Sequence, residues 1–200
     1  LGSRVQGSGG VIRLFVDENS SRKIKFNDLI RGEIEFEERL LGDVSIAKNE
    51  ETPLYHFAVV VDDYTTEISH VIRGEDHIAN TPKQILIQET LGFGQPKYVH
   101  LPMILAPDRS KLSKRHGATA VRDYGEMGYL ADALVNYMAL LGWTPNEPAQ
   151  EILTKNEMIE QFDDLSKIHK SGAVFDIEKL NWSNSQYIKT YNDGGLAKLV

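Results

Sequence analysis

Basic residues are concentrated in the stretch I-L-A-P-D-R-S-K-L-S-K-R-H-G, residues 104–117, where four cations follow an apolar run: Arg109, Lys111, Lys114 and Arg115. Lys111 and Lys114 are three residues apart, so in a tight turn their ammonium groups and the hydroxyl of Ser113 can converge on one anion. Gly117 allows the chain to leave the turn at an angle that other residues rarely adopt. The spacing predicts a phosphate-binding loop; the alternative is a solvent-facing basic loop without a ligand.

Composition restricts the class of protein. With 41% hydrophobic and 26% charged residues, the chain is typical of a globular protein. No apolar run is long enough to cross a membrane and no apolar signal segment opens the chain, so we expect neither membrane insertion nor secretion. The absence of cysteine excludes disulfides and thiolate zinc sites and fits a cytoplasmic location. A net charge of -7 argues against a nucleic-acid partner, except through a local basic patch such as residues 109–116.

The run K-L-S-K-R at residues 111–115 resembles the K-M-S-K-S signature of class I aminoacyl-tRNA synthetases, in the form typical of glutamyl-tRNA synthetases. Four other blocks resemble segments of the bacterial members of that family, in the same order and at similar spacing: Pro53–Tyr64, Val71–Gln84, Gly128–Trp143 and Phe175–Trp182. The resemblance covers roughly residues 11–192. The family's other signature, an ATP-binding motif of the H-I-G-H type, has no counterpart in this sequence.

The resemblance implies an α/β protein that carries the second half of a Rossmann-like nucleotide-binding fold. Residues 1–10 are glycine-rich, which indicates a linker or a cloning scar, with a native loop as the alternative. The implied domains are then the tail of a connective β insertion at 11–50, the second half of the catalytic domain at 51–124, a helical stem-contact region at 125–192 and a tail at 193–200.

Strand patterns occupy the first part of the chain. Alternating apolar and polar residues between 11 and 47 predict one small antiparallel sheet with a solvent-exposed face. For Pro53–Arg73 the resemblance favours a helix that ends near Asp62 and Asp63, followed by a strand through Ile68 to Ile72. Arg73 would then lie at the carboxyl end of a strand, where open α/β sheets bind ligands.

Helix signals dominate the rest. Thr81, Pro82 and Gln84 have the spacing of a capping box, and the helix should end at Gly92. Tyr98–Leu105 reads as a buried strand. Further helices are predicted around Leu130–Leu141, after a second capping box formed by Thr154 and Glu157, and from Asp176 onward. Side chains expected to face inward from these helices include Leu130, Leu134, Tyr137, Met138, Leu141, Met158, Ile159, Phe162, Leu180, Trp182 and Tyr187.

Site residues follow from the resemblance, position by position. Tyr55 and Arg73 match positions that face the substrate glutamate, which suits a guanidinium fork and a phenol. ATP would be bound by Asp76, Ile104, Lys111, Leu112, Ser113, Lys114 and Arg115, with Lys111 and Lys114 also serving as catalytic charges. His77 is expected to be structural, and Asp62 and Asp63 to orient basic neighbours. Val59 stands where some relatives carry a polar substrate contact, so that contact is not transferred.

The activity implied is that of a glutamate-tRNA ligase: ATP-dependent activation of glutamate to glutamyl-adenylate, then transfer to tRNA. Mg²⁺ would accompany ATP, no zinc is expected, and the partners would be glutamate, ATP and glutamate tRNA, with a monomeric full-length protein. Because the H-I-G-H half is missing from the sequence, we expect the chain alone to be inactive. One alternative is a catalytically incomplete relative that binds tRNA or a nucleotide; another is a glutaminyl-tRNA synthetase.

Overall fold

The computed structural model describes residues 10–113, 115, 117, 120–162 and 165–191. This part of the chain forms two compact units, the first ending at His100 and the second beginning at Leu101. The first unit contains, in chain order, β1 (Ile12–Leu14), β2 (Lys23–Asp28), β3 (Gly32–Glu37), β4 (Val44–Asn49), β5 (Thr52–Pro53), α1 (Tyr55–Thr65), β6 (His70–Gly74) and α2 (Thr81–Leu91), and β7 (Lys97–Leu101) ends at the boundary.

The alternating runs form strands as predicted and a small antiparallel sheet is present, but these strands divide between two sheets. β1, β4 and β5 make a three-stranded antiparallel sheet, whereas β2 and β3 form a hairpin with Ile24 opposite Phe36. β2 then pairs in parallel with β7, where Asp28 lies opposite Tyr98, in a four-stranded sheet ordered β3-β2-β7-β6. Alternation specifies which face of a strand is buried, but it carries no information about which strand becomes the neighbour.

The core of the first unit joins these sheets to α1 and α2. Its buried members include Ile24, Phe26, Val60, Ile85, Leu86 and Tyr98. α1 ends close to Asp62 and Asp63, as expected, and β6 follows two residues later than predicted. Arg73 is the penultimate residue of β6. The sheet and both helices thus bring the ends of β2, β6 and β7 into one unit.

The predicted capping box at Thr81 is wrong. A 3₁₀ segment, Glu75–Asn80, runs directly into α2, so the backbone of Thr81 is already helical, with φ -55° and ψ -47°. A residue in that conformation lies inside the helix and cannot act as its N-cap. The Thr81 side chain is fully buried and bonds elsewhere. The helix ends at Gly92 in the left-handed conformation (φ 71°), as predicted.

The second unit contains β8 (Ile104–Leu105), α3 (Val121–Glu126), α4 (Ala131–Gly142), α5 (Lys155–Gln161), β9 (Ala173–Val174) and α6 (Ile177–Thr190). The predicted continuous strand from Tyr98 to Leu105 is two strands, because β7 ends at Leu101 and Pro102 has no N–H with which to continue a ladder. β8 pairs in parallel with β9. The helix boundaries agree with the patterns at Gly142 and at Asp176, whose Oδ1 accepts the N–H groups of Glu178 and Lys179.

Among the residues that the structure describes, small clusters of buried side chains pack the helices together. One contains Tyr124, Leu134, Tyr137 and Leu180, and another contains Trp143, Leu153 and Met158. Four side chains predicted to face inward are instead exposed: Met138, Ile159, Phe162 and Trp182. Met138, Ile159 and Trp182 each lie one or two positions from a buried residue of their helix and so point away from its buried face. Phe162 lies just past the end of α5, as its C-cap, where the backbone is no longer helical. No helix in the described ranges is both long and apolar enough to span a bilayer.

Candidate functional site

Arg73 is the centre of the polar cluster in the first unit. Its Nε–H donates to Nε2 of His100 at 3.2 Å and its Nη2 donates to Oγ1 of Thr81 at 2.8 Å. Burial lowers the pKa of the Arg73 guanidinium below its usual value, while Tyr55, Tyr98 and Asp63 oppose that shift. A guanidinium remains charged despite such a shift. Arg73 is therefore a partly desolvated cation whose N–H donors are engaged by His100 and Thr81 on one edge, with Tyr55 as a further hydrogen-bonding neighbour.

Tyr55 brings a phenol to the same cluster. It is the first residue of α1, and its hydroxyl lies 3.3 Å from Nδ1 of His77. Nδ1 of His77 also lies 3.1 Å from the amide nitrogen of Asn80. Tyr55 is half exposed and interacts electrostatically with Arg73. The structure thus brings the two predicted glutamate-binding residues together, with His77 in a supporting position.

A buried carboxylate and imidazole lie behind Arg73. Oδ2 of Asp28 accepts the backbone N–H of His100 at 3.0 Å and the ring Nδ1–H at 2.7 Å. Oδ1 of the same carboxylate accepts the N–H groups of Ile30 and Arg31. Burial lowers the pKa of His100, and this effect outweighs its hydrogen bond to Asp28. The imidazole is accordingly neutral, with its proton on Nδ1.

The acidic residues near Arg73 differ in their exposure and in their charged neighbours. Asp76 lies in the exposed part of the 3₁₀ segment after β6, whereas Glu75 forms an ion pair with Arg31. Asp62 and Asp63 lie in the last turns of α1. Burial raises the pKa of Asp63, Arg73 opposes that shift and Asp62 adds to it. Asp63 therefore has both Arg73 and Asp62 in its electrostatic surroundings, whereas an orienting role for the two aspartates stays a prediction.

The predicted phosphate loop begins with a tight turn in the second unit. Arg109 N–H donates to the carbonyl of Ala106, and the Ala106 N–H donates to the carbonyl of Ser110, both at 2.8 Å. Asp108 accepts the backbone N–H and the hydroxyl of Ser110. Arg109 has a positive φ of 65°. This is the three-residue hairpin loop in which a left-handed residue normally follows a type I turn.

The residues after the turn hold the loop against β8. Lys111 bridges to Leu105 in antiparallel fashion, and the Leu112 N–H donates to the carbonyl of Ile104 at 3.1 Å. Lys111 and Arg115 are exposed, whereas Leu112 and Ser113 are partly buried. Lys114, the other predicted catalytic lysine, lies outside the described residues, so its convergence with Lys111 stays a prediction.

A groove of about 660 Å³ lies beside this loop. Its walls come from the loop, from α3 and from the segment that joins β9 to α6, with Pro107, Leu112, Gly117, Tyr124, Met127, Val174, Phe175, Asp176 and Ile177 as lining residues. Gly117 has φ 111°, a conformation open mainly to glycine. The glycine at the end of the signature is therefore needed for the path of the chain, as the sequence suggested.

Three members of the Arg73 cluster were not predicted from the sequence: Asp28, His100 and, in this role, Thr81. Asp28 and His100 are 72 residues apart in the chain, and neither belongs to a recognisable motif. The available signal was a polar side chain at an inward-facing strand position: Asp28 continues the face of Ile24 and Phe26 in K-I-K-F-N-D, and His100 follows Tyr98 by two residues in K-Y-V-H-L. Such residues become buried and must find partners.

Comparison with known families identifies the class. The model described as "tRNA synthetases class I (E and Q), catalytic domain" matches residues 3–182, and the chain belongs to that family. Among curated proteins, the chain is similar to the glutamate–tRNA ligase of Aquifex aeolicus, with 54% identity over 184 residues. It is also similar to the glutamate–tRNA ligase of Natranaerobius thermophilus, with 51% identity over 185 residues. The resemblance inferred from K-L-S-K-R is thereby confirmed.

Solved structures agree with this assignment. The crystal structure of a glutamate tRNA ligase from Elizabethkingia meningosepticum in complex with its amino acid has a TM-score of 0.81 and 38% sequence identity, covering 90% of this chain and 39% of that one. The predicted mixed α/β class is confirmed. Each of the two curated relatives is matched over 92% of this chain, which corresponds to 38% of the Aquifex protein and 37% of the Natranaerobius protein. The chain therefore spans well under half of their length.

Proposed function

We propose that this chain contributes the second half of the catalytic fold and the stem-contact helices of a glutamate–tRNA ligase. The observation that carries the proposal is the state of Arg73, which is partly buried, held at Nε and Nη2 by His100 and Thr81, and accompanied by Tyr55. A guanidinium has five N–H donors, so the contacts with His100 and Thr81 do not exhaust its capacity to bind a ligand. A planar fork of this kind matches a carboxylate.

In the proposed reaction, the α-carboxylate of glutamate attacks the α-phosphorus of ATP and pyrophosphate leaves. The glutamyl group then moves to the terminal ribose of glutamate tRNA. The predicted ATP-binding residues are Asp76, Ile104, Lys111, Leu112, Ser113, Lys114 and Arg115. Lys111 and Lys114 would stabilise the charge that develops on the phosphate oxygens, since positioning and preorganised charge supply most of the catalysis in phosphoryl chemistry.

Mg²⁺ is proposed to enter with ATP. Across the described residues there is no group of three or more His, Asp or Glu side chains placed to hold a metal ion. Mg²⁺ commonly binds to substrate phosphates with only one or two protein carboxylates, so this donor set fits a nucleotide-borne ion better than a protein cage. When bound, the ion would neutralise phosphate charge while Lys111 contributes its own.

The wider setting of the proposal follows the family. The helices of residues 125–192 would contact the tRNA stem, the full-length protein would act as a monomer in the cytoplasm, and the chain alone would not complete the reaction, since it spans 37–38% of the two relatives. ATP held by one part of such a fold lacks the orientation that well-positioned reactions require, a term of up to about 7–11 kcal/mol.

Arg73→Ala in a full-length synthetase that carries this segment tests the proposal. We expect the KM for glutamate in tRNA-dependent pyrophosphate exchange to rise roughly 100-fold, which corresponds to ~2.7 kcal/mol for two charged hydrogen bonds. The KM for ATP should change less than about 3-fold. Arg122→Ala removes an exposed arginine whose only described ion pair is to Glu126, and it serves as control. An unchanged glutamate KM in Arg73→Ala would remove Arg73 from the site.

A further inference from the structure

We propose that Asp28 and His100 are positioning residues for Arg73: Asp28 fixes the neutral imidazole of His100 so that its Nε2 accepts from Arg73, and this fixes the guanidinium for the substrate carboxylate. The inference rests on the proposed role of Arg73 in glutamate binding and adds the groups that orient it. Neither residue touches substrate in this arrangement. Each acts through the next in the order Asp28, His100, Arg73.

The first step is that Asp28 is immobilised. Its two carboxylate oxygens accept four N–H groups: Ile30 at 3.0 Å and Arg31 at 2.9 Å on Oδ1, and the backbone and ring N–H of His100 on Oδ2. The Asp28 side chain is inaccessible to solvent. A carboxylate with this many donors has one orientation and can only accept.

The second step is that Asp28 selects the tautomer of His100. Because Oδ2 can only accept, Nδ1 of His100 carries the proton, and Nε2 presents its lone pair. That lone pair faces the Nε–H of Arg73 at 3.2 Å and the hydroxyl of Thr81 at 3.2 Å. With the other tautomer, or with an imidazolium, an N–H would face the N–H of the guanidinium. Asp28 and His100 together thus present a hydrogen-bond acceptor, Nε2, to Arg73, whereas a protonated Nε2 would be a donor.

The third step is that the anchoring fixes one edge of the guanidinium. Nε and Nη2 lie on the same edge of the planar group; His100 holds the former and Thr81 the latter. The Thr81 hydroxyl is itself placed between the carbonyl of His77 and Nε2 of His100, and it can donate its one proton to either acceptor. Two contacts on one edge fix the plane of the fork, and a bidentate carboxylate interaction depends on that plane.

Charges around His100 favour the neutral ring. Arg73 approaches from β6 and Arg31 from the turn after β2, where its Nε donates to the carbonyl of His100 at 3.4 Å. Tyr98 and Phe26 supply ring neighbours, and Asp28 is the anionic partner. Burial is the largest cause of the lowered pKa of His100, and both arginines lower it further. Protonation of the ring therefore becomes important only on the acid side of the usual histidine range, where the acceptor for Arg73 is lost.

A matched pair of substitutions separates positioning from mere packing. In the full-length synthetase, His100→Asn keeps an N–H for Asp28 but removes the acceptor for Arg73, whereas His100→Gln places an amide oxygen where Nε2 was. We expect His100→Asn to raise the KM for glutamate at least 10-fold with the KM for ATP within 2-fold. His100→Gln should stay within about 3-fold of wild type for both substrates. Equal glutamate KM values for wild type and a folded His100→Asn would overturn the proposal.

The acid side of the pH profile is a second readout that a structural role would not move. In wild type the glutamate KM should rise as the pH falls below the usual histidine range, because burial lowers the pKa of His100, and in His100→Gln this rise should be absent. A rise of equal size in both proteins would mean that His100 is not the titrating group, which contradicts the proposed acceptor role.

Thr81 provides a test that remains if both His100 variants fail to fold. Thr81→Val keeps the shape but removes the hydroxyl that accepts from Nη2, and Thr81→Ser restores it. We expect a glutamate KM raised about 5-fold in Thr81→Val and near wild type in Thr81→Ser; equal values would count against the anchoring of this edge of the guanidinium.

Arg73→Ala distinguishes a failure of the proposed function from a failure of the positioning inference. If Arg73→Ala leaves the glutamate KM unchanged, the proposed function fails, whereas a large effect there with none at His100 or Thr81 defeats only the positioning inference.

Discussion

Gly172 lies so close to Met103 that a Cβ at Gly172 would be 2.8 Å from the Met103 carbonyl oxygen and 3.0 Å from Cδ1 of Leu105. β9 begins at the next residue, where the Ala173 N–H donates to the same carbonyl at 3.2 Å and the Phe175 N–H donates to that of Leu105 at 2.8 Å. The close approach of these backbones is what allows β9 to support β8. β8 in turn leads into the predicted phosphate loop.

Gly172→Ala should therefore destabilise the chain by roughly 1–3 kcal/mol, the usual cost of forcing extra volume into a packed site. Gly125→Ala is the matched control, because a Cβ there meets nothing within 4 Å and α3 gains about 0.5–1 kcal/mol of helix propensity. Urea unfolding of the 200-residue chain measures both. Equal stability of the two variants would show that the backbone at Gly172 can move without cost.

Arg109 occupies a left-handed position that glycine normally fills, with φ 65°. Arg109→Gly relieves that conformation, worth about 1–2 kcal/mol, but loses 0.5–1 kcal/mol to the flexibility of the unfolded chain, so we expect a free energy of unfolding within about 1 kcal/mol of wild type. Arg109→Val should be destabilising by more than about 1 kcal/mol, because a β-branched side chain tolerates this region poorly. If Val and Gly gave the same stability, the turn would have to adopt another conformation.

Tyr187 makes stability depend on alkaline pH. Burial, followed by Asp132, raises the pKa of Tyr187 to about 12, and its hydroxyl donates to the carbonyl of Leu153. The unfolded chain loses this proton near pH 10, so the stabilisation is complete below pH 10 and is lost as the pH rises from about 10 to 12. The expected loss is on the order of 1–3 kcal/mol.

Tyr187→Phe is the test of that loss. The variant should be less stable at pH 7 by about 1–3 kcal/mol, because the Leu153 carbonyl loses its buried donor, but its stability should decline less steeply above pH 10. Chemical unfolding at pH 8, 10 and 11 supplies the comparison. Identical slopes in the two proteins would mean that another tyrosine, such as Tyr137, whose pKa is also raised by burial, dominates the alkaline transition.

The two capping boxes show where sequence patterns succeed. Thr154 and Glu157 form the predicted reciprocal bonds: the Glu157 N–H donates to Oγ1 of Thr154 at 3.2 Å, and the Thr154 N–H donates to the Glu157 carboxylate at 2.6 Å. The same spacing at Thr81 fails because a 3₁₀ segment precedes it and the site takes the hydroxyl. The local pattern holds at Thr154, whose backbone is extended, and tertiary partners override it at Thr81.

The candidate site residues also differ in how far the sequence predicts them. Tyr55, Arg73 and Lys111 are predicted as site residues because they belong to sequence blocks with a characteristic order. Asp28 and His100 were not, because a contact over 72 residues depends on β2 lying beside β7. Trp182 and Ile159 show the opposite error: their apolar side chains were predicted to be buried and are exposed. A single sequence specifies which residues are suited to burial but not how wide the buried face of each helix is.

The basic loop leads to the prediction that bears most directly on catalysis. Lys111 is exposed directly after the turn, in register with Leu105, and we propose that it and Lys114 face the triphosphate. In a full-length synthetase carrying this segment, Lys111→Ala or Lys114→Ala should slow tRNA-dependent pyrophosphate exchange about 100- to 1,000-fold. This corresponds to a barrier higher by about 3–4 kcal/mol, the usual cost of removing one preorganised charge.

The KM for glutamate should change little in the lysine variants, in contrast to Arg73→Ala, because the lysines are proposed to contact the triphosphate and not the amino acid. Arg122→Ala again controls for loss of one positive charge. An exchange rate above about a third of wild type in either lysine variant would assign the loop to the solvent-facing alternative.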